Sequence, residues 1–385
     1  MKKILIIYSY KNHDELVSDI IKYSQQDNLQ IDAINSVSLK FLNKDKIRNK
    51  KILLFSLLSN SFIFQIILKV FRHIFGDNNM LKCISTLFLF PIAEKYDLIE
   101  ICAVRKEYTE FIRCLINKNI KFMISVWGSE YLRASDDDRK FFESFFDNSR
   151  LIHFETETIK NDFLRYYGKY NDKAFVSNYG IRILPIIDKI SEDIAKEYIG
   201  GKDNLDKIFV VCGYNGFESQ QHILILEAIK KLDIKIQKQI FLVLPFTYGW
   251  TKKYKEGIFK LLNSLNISFK LIDVRVTDLE VAYIRKCGNI VINMQITDSL
   301  SSSLLEHLYN GSTLLVAEWL KYEVFDQNGI YYKKVTPSSL SNDIYDVITN
   351  YCDNRNKCQR NIGKVKEICC WSSVGRLLNA MYLNA

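Results

Sequence analysis

Short apolar runs alternate with helical patterns along the first half of the chain. The run Ile4–Tyr8 comes first, a polar loop follows it, and a helical pattern begins at about Asp14. Short apolar runs indicate strands, whereas apolar positions three and four residues apart indicate helices. Strands that alternate with helices are usually parallel and joined by crossovers. The pattern predicts further strands at Ile31–Ile34, Ile52–Leu57, Leu98–Cys102, Lys121–Val126, Leu151–Glu155 and Ala174–Ser177, and helices over Tyr108–Asn117 and Thr158–Tyr167.

The second half of the chain repeats this alternation. Its first strand, Lys207–Cys212, is almost continuously apolar, which is typical of a strand buried on both faces. We therefore predict an α/β fold of two doubly wound, Rossmann-like domains that face each other across a cleft. Further strands are predicted at Ile240–Pro245, Ser268–Ile272, Ile290–Met294 and Thr313–Ala317, and helices over Gln221–Leu232, Tyr254–Leu265, Asp278–Cys287 and Ser303–Tyr309.

The length of 385 residues suits two domains better than one compact core. The charged stretch Asp188–Asp206 contains two adjacent glycines and marks the expected boundary. We place the first domain at 1–190 and the second at 191–365. For residues 366–385 we predict a C-terminal helix, and packing against the first domain is one option for it.

The net charge of +9 is spread along the chain, with one local exception. Lysines and an arginine crowd the segment 40–51, just before the apolar stretch Phe62–Phe75. The polar residues of that stretch form a single stripe on a helix. Two interpretations stay open: a core helix with one solvated edge, or a surface that makes peripheral contact with anionic membrane through residues 40–75. No apolar run approaches the ~20 residues that a membrane span needs.

Cysteine usage and the N-terminus bear on location. The nine cysteines include no C-x-x-C pair, so we expect free thiols in a reducing compartment and no metal site. The run Ile4–Tyr8 is too short for the core of a signal peptide. We therefore expect a cytoplasmic protein, at the inner face of the cell membrane if the basic segment binds lipid. Neither a dinucleotide-binding glycine motif nor a P-loop motif is present, which leaves those two enzyme classes unsupported.

The segment Asn293–Gly311 carries the most informative chemistry. It follows a predicted buried strand and opens a short helix, whose free N–H groups and dipole attract phosphate. Glu306, one turn inside, can accept hydrogen bonds from the two hydroxyls of a ribose, and Asp298 lies where a sugar beyond the diphosphate would bind. The alternative is that Ser303-x-x-Glu306 is only a capping box. Four serine hydroxyls add possible donors for the diphosphate: Ser299, Ser301, Ser302 and Ser303.

Several motifs resemble those of one enzyme family. The spacing Asp298-x7-Glu306 is similar to the E-x7-E region of retaining GT-B glycosyltransferases, above all of family 4. Val210–Gly216 resembles the first strand and loop of that family's donor domain. Asn178–Ile181 resembles the turn before its interdomain linker, and Val126–Glu130 resembles a loop of its acceptor domain.

A further stretch, Pro245–Gly249 with Tyr254, is similar to the acetamido-dideoxygalactosyl transferases that build lipid-linked polysaccharide. The resemblance implies the GT-B fold, with the acceptor bound by the first domain and the nucleotide sugar by the second. It implies a hexosyltransferase-type enzyme that transfers a sugar to a glycan or lipid-linked glycan with retention, without a metal ion or other cofactor. The implied pathway is the biosynthesis of a bacterial surface polysaccharide, such as O-antigen or capsule. A non-catalytic nucleotide-sugar or carbohydrate-binding protein of the same fold is the alternative, and no nucleic-acid partner is expected.

Carried over position by position, the resemblance places Glu306 at the ribose and Asp298 at the donor sugar as a catalytic residue. On the acceptor side it implies Trp127 and Ser129, with Glu130 as the catalytic group that orients or deprotonates the acceptor hydroxyl. The other implied donor-binding residues are Ser301, Ser302, Ser303, Gly213, Tyr214, Asn215 and Gly216.

The chain departs from the family pattern in two places. Asp298 stands where the family has the longer glutamate. The arginine and lysine that the family carries after its first donor-domain strand have no counterpart in Tyr214–His222. The candidates for offsetting the diphosphate charge are therefore Lys252, Lys253 and Arg275, in neighbouring loops, and the sequence does not choose among them.

Overall fold

The computed structural model describes residues 1–9, 14–36, 38–42, 61, 66, 69, 70, 73, 89–127, 129–132, 134–298 and 300–385. The predicted strand Ile52–Leu57 and most of the segment 40–75 lie outside these residues. The chain divides into two compact units. Unit 1 consists of Met1–Gly180 and Trp371–Ala385, and unit 2 of Ile181–Cys370.

Unit 1 is built on a seven-stranded sheet. Its strands are β1 (Lys2–Tyr8), β2 (Leu29–Asn35), β3 (Lys40–Leu42), β4 (Leu98–Cys102), β5 (Phe122–Val126), β6 (Ile152–Phe154) and β7 (Ala174–Val176). They lie in the order β3-β2-β1-β4-β5-β6-β7, and all neighbours are parallel except β3, which runs antiparallel to β2. The predicted parallel strands are therefore present, apart from Ile52–Leu57, which lies outside the described residues.

Both faces of this sheet are covered. Along β1, Ile4 and Ile6 pack into one core, whereas Leu5 and Ile7 pack into another on the opposite face. A strand buried on both sides needs such a continuous apolar run. The helices of this part of the chain whose bounds the structure describes are α1 (Asp14–Ser24), α2 (Phe90–Ala93), α3 (Thr109–Asn117), α4 (Ser129–Leu132), α5 (Asp136–Asn148) and α6 (Glu157–Tyr167).

Unit 2 has a six-stranded sheet in which all neighbours are parallel. Its strands are β8 (Ile208–Cys212), β9 (Ile240–Pro245), β10 (Ser268–Ile272), β11 (Ile290–Asn293), β12 (Thr313–Ala317) and β13 (Lys333–Val335), in the order β10-β9-β8-β11-β12-β13. Two Rossmann-like units of this kind confirm the predicted α/β class. The helices are α7 (Leu184–Ile187), α8 (Glu192–Gly200), α9 (His222–Lys230), α10 (Ile234–Gln237), α11 (Lys252–Leu262), α12 (Asp278–Cys287), α13 (Ser302–Tyr309), α14 (Glu323–Gln327), α15 (Leu340–Thr349), α16 (Tyr351–Gln359) and α17 (Asn361–Cys369).

The last helix, α18 (Trp371–Asn384), packs on unit 1. The Trp371 ring stacks on Tyr23 of α1 with the centroids 5.2 Å apart. A Cβ on Gly375 would collide with the backbone carbonyl of Tyr23, so α1 and α18 approach as closely as a glycine allows. Tyr382 adds a hydrogen bond of 2.6 Å to Oε2 of the buried Glu100 on β4.

The chain passes between the units at Gly180–Ile181 and again at Cys370–Trp371. The sequence placed these passages at 190–191 and 365–366. The first comes earlier because Ile181, Leu184 and Ile187 pack into the core of unit 2. The second comes later because α17 continues to Cys369, whose carbonyl accepts a hydrogen bond of 2.9 Å from the N–H of Ile181.

Within the residues that the structure describes, no helix is long and apolar enough to cross a membrane. The basic segment and the apolar stretch after it fall mainly outside those residues, so the predicted membrane contact through 40–75 stays a prediction.

Candidate functional site

The loops that follow the strands of unit 2 meet at the carboxyl edge of its sheet. β11 lies beside β8 with Ile292 paired to Cys212, and the N–H of Gly213 donates to the Ile292 carbonyl at 3.0 Å. Ligands of parallel α/β sheets bind at this edge. The predicted loop Gly213–Gly216 and the predicted residue Asp298 therefore occupy neighbouring loops.

The first turn of α13 carries the serine cluster. Ser301 is the N-cap, and its side chain accepts a hydrogen bond of 3.2 Å from the N–H of Ser303. Ser302 is the first helical residue. Ser303 is 7% exposed, and its own hydroxyl has no hydrogen-bond partner among the described residues. Leaving such a buried hydroxyl unpaired costs about 1–3 kcal/mol. The capping-box interpretation is wrong, because Ser301 occupies the cap position and Glu306 binds elsewhere.

Glu306 lies one turn further along α13 and is 8% exposed. Its Oε2 accepts a hydrogen bond of 2.7 Å from Nε of Arg285, which belongs to α12. Within the described part of the chain, no hydrogen bond reaches its other carboxylate oxygen, Oε1. Burial raises the pKa of Glu306, and the positive charge of Arg285 opposes that shift. The carboxylate thus has one oxygen fixed by Arg285 and one available to a ligand hydroxyl.

Asp298 lies between two tyrosines. The hydroxyl of Tyr322 donates to Oδ2 of Asp298 at 2.7 Å, and the hydroxyl of Tyr214 lies 3.5 Å from Oδ1. Nδ2 of Asn293 donates to the Tyr322 oxygen at 3.0 Å, so a hydrogen-bonded chain runs from the end of β11 to Asp298. Burial and the nearby Asp298 charge raise the pKa of both tyrosines, which therefore stay protonated donors. These contacts fix the direction of the Asp298 carboxylate.

The loop Gly213–Gly216 is held against a buried histidine. Gly213 has a φ of +66°, and a Cβ there would lie 2.9 Å from Nε2 of His222. The other ring nitrogen, Nδ1, lies 3.1 Å from the hydroxyl of Tyr254, while Nε2 has no partner among the residues that the structure describes. Burial lowers the pKa of His222 to about 3, so the imidazole is neutral near pH 7. His222 therefore does not supply the positive charge that the loop lacks.

Side-chain amides connect the loops after β8 and β11. Oε1 of Gln220 accepts a hydrogen bond of 3.2 Å from the N–H of Tyr214, and its Nε2 donates to Oε1 of Gln295 at 2.7 Å. The buried Asn215 accepts a hydrogen bond of 3.0 Å from the N–H of Phe217. The loop that carries Tyr214 and Asn215 is thus fixed before any ligand binds.

None of the three candidate cations, Lys252, Lys253 and Arg275, is bonded to this cluster among the described residues. Lys252 is exposed at the start of α11, where its ammonium lies 3.9 Å from Glu256, and Arg275 is exposed in the loop after β10. Neither makes a contact with the serines or carboxylates of the cluster within the described chain. The structure instead brings Arg285 to it, and sequence reasoning missed this residue. The sequence signal that could have identified Arg285 is its spacing. It follows Ala282 by three residues, which places a charged side chain on the buried face of α12.

On the predicted acceptor side, the structure describes Trp127, which follows β5 in unit 1. Its Nε1 donates to the hydroxyl of Tyr179 at 2.8 Å. Ser129 and Glu130 begin the short α4, and their side chains lie outside the description. Their predicted roles as acceptor-side residue and catalytic group stay predictions.

A buried polar network begins at Ser125 of β5, two residues before Trp127. The Ser125 hydroxyl donates to Oε1 of Glu100 at 2.5 Å and lies 3.1 Å from Nδ1 of His153. Nε2 of His153 lies 2.9 Å from the Ser177 hydroxyl. Burial raises the pKa of Glu100 and lowers that of His153 to about 4. His153 is therefore a neutral core histidine with partners at both ring nitrogens.

The described residues contain no group of three histidine, cysteine, aspartate or glutamate side chains placed to hold a metal ion.

Comparisons with known proteins find similarity at the level of structure. No family model matches the sequence, and no curated protein matches it either. The structure of HepE from Anabaena in complex with UDP matches with 11% identity and a TM-score of 0.71, covering 100% of each chain. A glycosyltransferase from Rickettsia africae matches with 12% identity and a TM-score of 0.67, covering 99% of this chain and 97% of that one. Sucrose-phosphate synthase from Thermosynechococcus elongatus matches with 11% identity and a TM-score of 0.67, covering 100% and 98%. These neighbours are GT-B glycosyltransferases, and the likeness shows that the chain has the GT-B fold.

Proposed function

We propose that this protein is a glycosyltransferase that uses a nucleoside-diphosphate sugar as donor. The observation that carries the proposal is the start of α13, where the unpartnered hydroxyl of Ser303 and the available oxygen of Glu306 stand three residues apart. Side chains at this spacing share one face of a helix. The hydroxyl offers a donor to a phosphate, and the carboxylate offers an acceptor to ribose hydroxyls, so together they match a nucleoside diphosphate. UDP is bound in the similar HepE structure, which supports UDP as the nucleotide.

The same elements suit the chemistry of transfer. Breaking the bond between the sugar and the diphosphate builds negative charge on the leaving group. The dipole and the free N–H groups of α13 stabilise that charge, and electrostatic stabilisation of this kind is usually the largest catalytic contribution. Asp298, held by Tyr322 and Tyr214, is proposed to lie near the positive charge that develops on the donor sugar.

The finer features of the proposal rest on the family resemblance. They are retention of configuration, independence of metal ions, and a glycan or lipid-linked glycan as acceptor, bound beside Trp127, Ser129 and Glu130. We place the reaction in the synthesis of a bacterial surface polysaccharide, in the cytoplasm at the inner face of the cell membrane. The basic segment 40–75 would make the membrane contact, and co-sedimentation with anionic liposomes that salt weakens is the result expected.

Nucleotide binding provides the first test. UDP, GDP and dTDP are added in turn to the full chain, and thermal unfolding is followed, since a bound ligand stabilises the folded state by mass action. We expect one nucleotide to raise the melting temperature, and Ser303→Ala and Glu306→Gln to reduce that rise. Ser264→Ala and Glu256→Gln, at exposed positions, serve as controls and should leave it unchanged. Equal shifts in all variants would remove the site assignment.

Sugar transfer provides the second test. With the donor identified, Glu306→Gln and Asp298→Ala should each reduce transfer by about tenfold or more, as expected when a group that acts in the transition state is lost. The anomeric configuration of the product, read by NMR, tests retention. Addition of EDTA tests independence of metal ions, and a loss of turnover that Mg²⁺ restores would contradict it.

A second function is favoured by one observation. The segment Gly213–His222 contains no lysine or arginine, and its histidine is neutral. A chain that binds a nucleotide sugar without a cation at the leaving group could serve as a non-catalytic binding module. Calorimetry followed by transfer and hydrolysis assays separates the two functions, because tight binding without turnover supports the module.

A further inference from the structure

Trp127 lies directly after β5, at the carboxyl edge of the unit 1 sheet, and its side chain is half-buried. Ligands of parallel α/β sheets bind at this edge. The only polar atom of an indole side chain is Nε1, and that of Trp127 donates to the hydroxyl of Tyr179 at 2.8 Å. The exposed part of the Trp127 side chain is therefore carbon surface, which can pack against a ligand but cannot donate a hydrogen bond to it.

Tyr179 is itself held by the core of unit 1. Its ring meets that of Trp127 edge to face with the centroids 6.1 Å apart, and it meets the buried His153 of β6 edge to face at 5.5 Å. Its hydroxyl lies 3.5 Å from Nδ1 of His153. Burial raises the pKa of Tyr179, so the hydroxyl stays protonated near pH 7. These contacts fix Tyr179, and through its hydroxyl they set the orientation of the Trp127 ring.

The backbone next to Tyr179 leaves little room for a shift. A Cβ on Gly180 would collide with the Trp371 ring, at the start of α18. Trp371 in turn stacks on Tyr23 of α1. Because these contacts join segments that are distant in sequence, Tyr179 is in position before any ligand binds, which lowers the entropic cost of binding at Trp127.

The loops after β4 and β5 begin side by side. The N–H of Ala103, directly after β4, donates to the carbonyl of Ser125 at 2.9 Å. Ala103 is buried and has a φ of +65°, a conformation that residues other than glycine rarely adopt and that is concentrated at functional sites. The loop that follows, with Arg105 and Glu107, thus starts at the same edge of the sheet as Trp127.

The charged side chains of residues 103–107 are paired. Nε of Arg105 lies 3.3 Å from Oε2 of Glu107, and its Nη1 donates at 3.3 Å to the hydroxyl of Ser9, directly after β1. Lys106 forms an ion pair with Asp138 of α5. A phosphate group is bound best by cations without a carboxylate partner, and this loop offers none. An aromatic ring near paired polar groups suits an uncharged sugar, whose C–H face packs on the ring and whose hydroxyls bond to the polar groups.

We propose that Trp127 stacks on an uncharged pyranose of the acceptor, and that Tyr179 is the positioning residue that sets the ring for this contact. The polar groups of the loop after β4 exchange hydrogen bonds with the hydroxyls of the sugar. The assignment of this sugar as the acceptor rests on the proposed function, whereas its binding to Trp127 does not.

The hydrogen bond of Trp127 is tested first, by NMR of the full chain with isotope-labelled tryptophan. The protein has four tryptophans, and Trp127→Phe identifies which indole N–H signal belongs to Trp127. Tyr179→Phe should shift that signal, because the indole loses its acceptor. Tyr166→Phe, which removes a hydrogen bond of 3.5 Å from an exposed tyrosine, is the control and should not. In the unaltered protein this N–H should exchange with deuterated solvent about tenfold or more slowly than that of free tryptophan.

Ligand binding is tested next, on the same labelled chain. Neutral oligosaccharides are titrated in parallel with sugar phosphates and with geraniol, a short isoprenoid alcohol. We expect a neutral oligosaccharide to shift the Trp127 signal. Calorimetry should show that Trp127→Ala weakens its binding by about five- to tenfold, the scale of one lost aromatic contact. Tyr179→Phe should weaken it by about two- to threefold, because the ring remains but its orientation is released, and Tyr166→Phe should leave it unchanged.

Four results would overturn the proposed contact: Tyr179→Phe leaves the Trp127 signal in place, the indole N–H exchanges as fast as that of free tryptophan, no neutral oligosaccharide shifts the signal, or Trp127→Ala binds as tightly as the unaltered protein. A shift caused only by sugar phosphates or by geraniol would overturn it in favour of a charged or a lipid ligand.

UDP binding separates this contact from the proposed function. It is measured on the same variants and should not change, since the proposed donor site belongs to unit 2. If UDP fails to bind but a neutral oligosaccharide shifts the Trp127 signal, the proposed function is wrong and the sugar contact stands. If sugar is transferred from a nucleotide donor but no oligosaccharide shifts the signal, the contact is wrong and the proposed function stands.

Discussion

Asp298 shows how a single carboxylate is directed by residues that are distant in sequence. Tyr322, which follows β12, donates to it and is in turn a hydrogen-bond acceptor for Asn293 at the end of β11. Hydrogen bonds to a charged group are worth about 1.5–3 kcal/mol. These hydrogen bonds thus hold the carboxylate in one orientation. Aspartate is one methylene shorter than the glutamate of the family pattern, so its carboxylate must point in a fixed direction to reach the proposed donor sugar.

We predict that Tyr322→Phe lowers the rate of sugar transfer by about tenfold, since the Asp298 carboxylate loses the 2.7 Å hydrogen bond from Tyr322. Donor binding should change little, because the proposed phosphate and ribose contacts lie on α13. Tyr332→Phe is the matched control, as it removes a tyrosine–aspartate hydrogen bond of 2.9 Å on the exposed surface. Steady-state kinetics and thermal unfolding of both variants check the result. An unchanged rate in Tyr322→Phe would show that this hydrogen bond does not direct the reaction.

The contact between Arg285 and Glu306 leads to a separate prediction about how the protein binds the ribose of the nucleotide. Burial raises the pKa of Glu306, and Arg285 opposes that shift, so Arg285→Gln should favour the protonated carboxyl and release its orientation. We expect UDP to bind more tightly than its 2′-deoxy form to the unaltered protein, and Arg285→Gln to reduce that preference by about tenfold. Lys286→Gln, at the next position, is the control. Calorimetry with both nucleotides gives the answer, and a preference that survives Arg285→Gln would exclude Arg285 as a positioning residue.

The residues of the candidate site divide into those that local spacing could predict and those that it could not. Asp298 and Glu306 could be proposed as site residues because their positions relative to one strand and one helix follow from the sequence between them. Arg285 and Tyr322 are 21 and 24 residues from the carboxylates they bind, and each belongs to another element. Their contacts depend on how α12 and α14 are rotated against the sheet, and no period in the sequence encodes that rotation.

At the scale of elements, Glu192 joins three parts of unit 2. It begins α8, and it accepts hydrogen bonds from Arg355 of α16 at 2.5 Å and from Asn289, before β11, at 2.7 Å. Lys196 of the same helix lies 3.1 Å away. Burial works against the charged carboxylate, but Arg355 and Asn289 overcome it and hold the pKa of Glu192 at about 2.

This contact predicts how stability depends on pH. A carboxyl group whose pKa is lower in the folded than in the unfolded state stabilises the fold above its unfolded pKa of about 4.3, and this contribution is lost as the pH falls towards about 2. Because the side chain is partly solvated, we expect a contribution of about 2 kcal/mol. Glu192→Gln should therefore be less stable than the unaltered protein at about pH 7, with the difference shrinking below about pH 4. Denaturant unfolding at several pH values measures this, and Glu256→Gln, which removes an exposed pair with Lys252 at 3.9 Å, should change little.

Elements were more predictable than contacts between them. The strands Leu98–Cys102, Ile240–Pro245 and Thr313–Ala317 have the bounds that their apolar runs indicated, because a strand buried on both faces has a nearly continuous apolar run. The start of α13 differs by one residue, since the run of serines offers several capping side chains and Ser301 takes that position. These serines have the same intrinsic preference for the N-cap position. The geometry of the preceding loop therefore decides which of them occupies it.

At the scale of the whole molecule, unit 1 depends on a helix that is remote in sequence. α18 fits against α1 through Gly375, and Asn379 donates a hydrogen bond of 2.7 Å to the carbonyl of Ser24. The Trp371 ring stacks on Tyr23. The sequence predicted a C-terminal helix over 366–385 and offered packing against the first domain as one option. It did not identify the residues in contact, because composition does not encode the surface to which a distant helix returns.

We predict that Gly375→Ala destabilises the protein by about 1–3 kcal/mol, since its Cβ would meet the backbone carbonyl of Tyr23, which cannot move aside as a side chain can. Gly363→Ala is a matched control in α17, where an added Cβ meets nothing within 4 Å. That variant should be stabilised by about 0.5–1 kcal/mol, the usual gain from replacing glycine in a helix. Urea unfolding of the two proteins provides the comparison, and equal stabilisation of both would mean that α1 and α18 do not pack this closely.

The return of α18 to unit 1 also has a consequence for synthesis on the ribosome. The sheet face that α18 covers, with Ile4, Ile6 and Met123, is translated long before the helix that completes it. All of residues 181–370 emerge in between, which takes about 10–40 s at about 5–20 residues per second. Throughout that interval the nascent chain presents an apolar surface to solvent while unit 2 can already fold. We expect chaperones that bind nascent chains to occupy this face until the C-terminal helix arrives.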